Sequence, residues 1–205
     1  MEAGNVSAII SATAGICGVL LGNSFVLIKE WWIKRKSVNQ ATAYLAIICA
    51  SHLDRFASEC FNVCVDDGTS HGQPAGKDGH YEATTSVPSF QPLDLDVDWR
   101  LIPKDLMYLI LRIPDQQEKI HGKLRVIQDF DYDPPDHPEY FWTRQRGYAV
   151  LGLQVSDIAN KLRLHAGLPI EKSLVGEWDR NKSMIEVVAH LDELKRKSLL
   201  RETRN

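Results

Sequence analysis

The sequence predicts an all-α protein, with a single N-terminal transmembrane helix followed by a cytoplasmic helical bundle with long irregular loops. Three observations lead there. Residues 6–28 contain no charged side chain. Downstream, apolar positions recur with a period near 3.6. Convincing strand alternation is missing from the chain. The 205 residues have room for one domain plus an anchor. A composition of 44% hydrophobic and 25% charged residues fits a folded chain. Four cysteines in this length do not make a disulfide scaffold.

The first element is the run VSAIISATAGICGVLLGNSFVLI at 6–28. As a helix its 23 residues span about 35 Å, enough for a hydrocarbon core of about 30 Å. A cleaved signal peptide would carry positive charge before the run, but Glu2 precedes it and Lys29 follows. A buried core helix is rarely free of charge over such a length. Lys29, Lys34, Arg35 and Lys36 follow the run, and no Lys or Arg precedes it. The positive-inside rule therefore places the N-terminus outside and the rest in the cytoplasm, with a bacterial inner membrane as the expected host. Trp31 and Trp32, at the exit, suit the headgroup layer, and Lys34, Arg35 and Lys36 suit anionic lipid. Ser11, Gly15, Gly18 and Gly22 fall on one stripe of the span, and Gly18-x-x-x-Gly22 permits close helix approach. This stripe is a candidate self-association face.

The chain then divides into an anchor with its flank (1–36), a helix continuing from it (37–65), a Gly/Pro-rich loop (66–103) and a bundle domain (104–205) that packs with 37–65. Leu45, Ile48, Cys49, Phe56, Cys60 and Val63 mark the helix, and no proline or glycine interrupts residues 23–67. It should stop near Asp66-Asp67-Gly68. Two shorter helices follow at 104–113 and 115–128, with Pro103 at a start and Pro114 between them. The clearest helix runs over 138–165. Phe141, Tyr148, Leu151, Val155, Ile158, Leu162 and His165 recur at steps of three and four, with Arg144 at the remaining position of a coiled-coil-like seam. Tyr148, Leu151, Val155 and Ile158 are thus a second candidate association surface. Ala166-Gly167-Leu168-Pro169 stops this helix, and a last one spans about 181–201.

Candidate chemistry is sparse. Cys60 and Cys64 share a helix face and His71 and His80 follow, which is a zinc ligand set in composition but not in any standard spacing. Packing as small apolar side chains is the plainer role for the thiols. Asp94, Asp96, Asp98 and Asp105 partly match a calcium loop, but Trp99 stands where glycine is required. The alternation more simply lays Leu95, Val97 and Trp99 on the bundle and the carboxylates in water. Five carboxylates and His137 crowd 129–139, which fits a solvated turn better than acid–base catalysis. His52 and His165 lie on apolar seams and would make packing pH-sensitive if buried. Phosphate-loop, nucleophile-elbow, zincin and dinucleotide motifs are all missing, which leans against an enzyme.

Charge is uneven: residues 54–140 carry 8 basic and 17 acidic side chains, while 141–205 carry 12 and eight. The acidic middle argues against nucleic acid as a partner. The expected function is interaction, with membrane lipid, a second copy or another protein as partner, and without a cofactor. Presentation of the acidic middle or of the 66–103 loop to that partner belongs to this reading. Two alternatives are a membrane-anchored metal-binding protein or metalloenzyme using zinc, and an effector whose span perturbs the bilayer.

Overall fold

The computed structural model describes the backbone of residues 3–130, 133–170 and 176–202, and the side chains of these from Lys29 onward except Trp31 and Glu202. It is an all-helical fold with one minimal strand pair. The helices are α1 (Ala3–Cys64), α2 (Lys104–Leu111), α3 (Ile113–Phe130), α4 (Pro138–His165) and α5 (Arg180–Glu202). The strands β1 (Thr69–Ser70) and β2 (Gln73–Pro74) pair antiparallel. Two compact units divide the chain, Met1–Thr42 and Ala43–Asn205.

In the first unit, the expected span at 6–28, with Gly15, Gly18 and Gly22, lies outside the described side chains, as does Trp31. Among the described residues no helix is long and apolar enough to cross a membrane. From Lys29 to Ala41 every described side chain is exposed, including Trp32 at 68% and the basic residues Lys34, Arg35 and Lys36.

The second unit is a bundle built around α4. Ala46, Cys49, Leu53, Phe56, Cys60 and Val63 of α1 are all buried, and their spacing alternates between three and four. That is the same 3.5-residue seam as on α4, so the two helices can interlock along their length. They run antiparallel, because Asp54 meets Arg163, Cys60 meets Gly152 and Asp66 meets Arg144. The helix α5 lies antiparallel on another side of α4: Ser156 Oγ donates to Asn181, and Trp142 Nε1 donates to the Leu191 carbonyl at 3.1 Å.

Gly152 sits where three helices converge. A Cβ there would lie 2.8 Å from Met184 Sδ and 3.0 Å from Cys60 Cβ. The residue that weakens helix propensity is thus what lets α1 and α5 approach α4 together. Gly147 plays a milder part against α3, since its Cβ would stand 3.2 Å from Ile120 Cγ2.

Helix boundaries follow local chemistry. Pro138 opens α4, where a missing N–H costs nothing. Its end is closed by Gly167 at φ +68°, whose N–H reaches the Leu164 carbonyl. The break between α2 and α3 falls at Arg112, slightly earlier than Pro114 suggests. Pro114 becomes the second residue of α3, where the ring is harmless.

Two expectations need correction. His52 and His165 are exposed rather than buried on the seams. His165 is the final residue of α4 and is exposed there, and His52 lies just outside the buried stripe of α1. The α4 seam is also not free for a second copy. Tyr148, Leu151, Val155 and Ile158 are buried in one core with Leu45, Leu53, Phe56 and Ile110 of the same chain.

Candidate functional site

The long loop at 66–103 is ordered by two buried polar side chains. The first is Asp66, just past the end of α1. Its carboxylate accepts from Gly68 N, from the Thr84 amide and hydroxyl, and from Thr85 N at 2.9 Å. Arg144 of α4 completes the arrangement, with Nη1 2.8 Å from Asp66 Oδ2 and Nη2 donating to the Thr85 carbonyl at 2.5 Å. Both side chains are almost wholly buried, at 2% and 1% exposure. Burial alone would raise the Asp66 pKa, but the hydrogen bonds from Thr85, Thr84 and Gly68 outweigh it and hold the carboxyl below its ordinary value. A buried charge stays ionised only when so surrounded.

Gly68 is required beside this centre. It has φ +80°, and a Cβ there would fall 2.3 Å from the Phe141 ring. The second organiser is Gln117 of α3. Its Nε2 donates to the Pro88 carbonyl at 2.6 Å, and its Oε1 accepts from Phe90 N at 3.3 Å. Farther along, Leu95, Val97 and Trp99 pack on the core while Asp94, Asp96 and Asp98 face water. Asp98 caps the turn Trp99–Leu101 through Arg100 N.

A second polar cluster joins α1, α4 and α5. Arg180 donates to the Asp54 carbonyl, to Ser58 Oγ and to Ser156 Oγ, at 2.9, 2.8 and 2.9 Å. Arg163 pairs with the Asp54 carboxylate. Neither this cluster nor the Asp66–Arg144 pair is marked by a short motif, since Asp66 and Arg144, and Asp54 and its two arginines, lie more than 70 residues apart. The one local signal is Arg144 itself, a charge on an otherwise apolar seam.

The four residues of the zinc-like set are not brought together. Cys60 and Cys64 are buried among apolar side chains. Burial raises the Cys60 thiol pKa, as do the charges of Glu59 and Cys64, with Arg180 opposing. Burial pushes Cys64 and Cys49 up to about 11. These thiols are therefore poor sources of thiolate at neutral pH. His71 is exposed in the β1–β2 turn, and His80 stacks on His137 with centroids 6.0 Å apart. Among the described residues, no three His, Cys, Asp or Glu side chains are grouped to hold a metal ion.

One further pair links α3 to α4. His121 Nε2 and the Tyr148 hydroxyl are 2.7 Å apart, and burial raises the Tyr148 pKa. The phenol keeps its proton and needs this partner, because an unpaired buried hydroxyl is costly.

Comparison with family models, curated proteins and solved structures finds no match for this chain.

Proposed function

We propose that the chain is a single-pass, N-outside membrane protein whose helical bundle acts by interaction rather than catalysis. The carrying observation is the uncharged run at 6–28 followed directly by Trp31, Trp32 and the basic residues 34–36. Exposure of Trp32, Lys34, Arg35 and Lys36 supports the reading, because a lipid interface needs these groups on the surface. The burial of Tyr148, Leu151, Val155 and Ile158 within the chain narrows the choice of association surface. Self-association through Ser11, Gly15, Gly18 and Gly22 is then the favoured route, with packing of small residues as its driving force.

The test is energy transfer between labelled full-length chains in lipid bilayers. Leucine at Gly18 and Gly22 (Gly18→Leu with Gly22→Leu) should abolish transfer, whereas Leu20→Ile, on the opposite side of the helix, should leave it unchanged. Equal transfer in all three proteins would overturn the stripe as the association face.

A further inference from the structure

A cavity of about 340 Å³ opens where the 66–103 loop, the end of α3 and the start of α4 meet. Its size is within the range of small-molecule sites. Tyr81 and Glu82 form one wall, Ile127 and Gln128 a second, and His137 and Tyr140 a third. The first wall is anchored on both sides. Tyr81 N donates to the Pro135 carbonyl at 2.9 Å, and the following Thr84 and Thr85 are held by Asp66.

Phe141, buried beneath the cavity, sets two of its rings. It meets Tyr81 edge-on at 6.5 Å between centroids and Tyr140 edge-on at 5.3 Å. Such edge contacts favour defined ring orientations. His137 is braced by its stack on His80.

The chemistry of the lining has one sign. Among the described residues, Tyr81, His137, Tyr140 and Glu82 line the space and no Lys or Arg does. Exposed Asp129 at the end of α3 and Asp133 and Asp136 in the turn before α4 add negative potential. The amino end of α4, which would otherwise draw an anion, already has Glu139 in its first turn. Aromatic faces with a nearby carboxylate attract a cation through the ring quadrupole and through direct charge.

We propose that this cavity binds an organic ammonium group, held among Tyr81, Tyr140 and His137 with Glu82 as its counter-ion. The group can come from a free amine or from a lysyl side chain of a partner protein. The inference does not depend on the membrane anchor.

Calorimetric titration of the full-length chain in a non-ionic detergent tests it. The probes are benzyltrimethylammonium for the free source and a short peptide, acetylated at its N-terminus and carrying an unmodified lysine, for the protein source. At least one should saturate at about 10 mM or below, as a millimolar Kd requires. A tighter peptide would identify the protein source, and a tighter small cation the free one. Glu82→Gln and Tyr140→Leu should each weaken binding about tenfold, a loss consistent with one ion pair or cation–π contact. Glu82 is exposed, so its variant should keep the parent unfolding midpoint and isolate binding from folding. Benzoate or benzyl alcohol binding as tightly as the ammonium probe would overturn the proposal. So would failure of both ammonium probes to saturate, or affinity unchanged in Glu82→Gln.

Discussion

Arg144 and Arg146 stand two residues apart on α4 and both pair with an aspartate, yet the bundle treats them oppositely. Two residues turn a helix by about 200°, so the pair points to opposite faces. Arg144 goes inward to Asp66, and the two are 1% and 2% exposed. Arg146 goes outward to Asp192, with both partners about 40% exposed, and its guanidinium lies 5.6 Å from the Trp142 ring centre. The inner pair fixes a loop onto the core because every atom of it must find a partner there. The outer pair is bathed in water that already solvates each charge. The same two side-chain types therefore differ in consequence through burial alone.

The sharpest way to break this contrast is Arg144→Met, which leaves the Asp66 carboxylate buried without its cation. A loss of about 3–5 kcal/mol is expected from urea unfolding. Adding Asp66→Asn to that variant should recover part of the loss, because the residual charge is then gone. Loss of stability below about 1 kcal/mol in Arg144→Met would mean that Asp66 is not held as described.

Glycines on inner and outer faces extend the comparison. Gly152→Val should destabilise by about 1–3 kcal/mol, since its side chain meets Met184 and Cys60 across tight contacts. Gly122→Ala, in α3 with nothing within 4 Å of its new Cβ, should instead stabilise by about 0.5–1 kcal/mol. Thermal unfolding of the two variants should therefore shift in opposite directions.

Acid adds a dimension in which only the inner aspartate matters to the core. The Asp66 carboxyl titrates lower when folded than when unfolded. Its stabilisation is then complete above the unfolded value of about 4 and is lost as pH falls from there through the folded value. Stability curves of the parent and of Asp66→Asn should run parallel above about pH 5 and converge below about pH 4. Parallel curves through that acid range would contradict the assignment. The smallest effect is expected for Arg146→Ala, below about 1 kcal/mol and reduced further by salt.

Sequence legibility follows the same division. Wherever information is local, the elements are legible: α4 occupies Pro138–His165, matching a seam that begins after a proline turn and ends in Ala166-Gly167. The C-terminal part of α1 and the stop after Cys64 are equally visible in period and punctuation. Burial of Cys60 and Cys64 follows from their place on the apolar stripe. The loop at 66–103 is legible only as a loop, because the groups that order it are Arg144 and Gln117, on helices far along the chain. The cavity beside Tyr81 is hidden for the same reason: its walls come from three separate segments. The histidines at 52 and 165 mislead because a period identifies a stripe but not its edges.

The proposed anchor carries the functional account, and membrane extraction addresses it most directly. Full-length chain and a form lacking residues 6–28 are expressed side by side, and the membranes are washed with alkaline carbonate. The full-length chain should stay in the pellet until detergent is added, while the shortened form should appear in the supernatant. Release of the full-length chain by the wash, as a soluble monomer, would contradict the account.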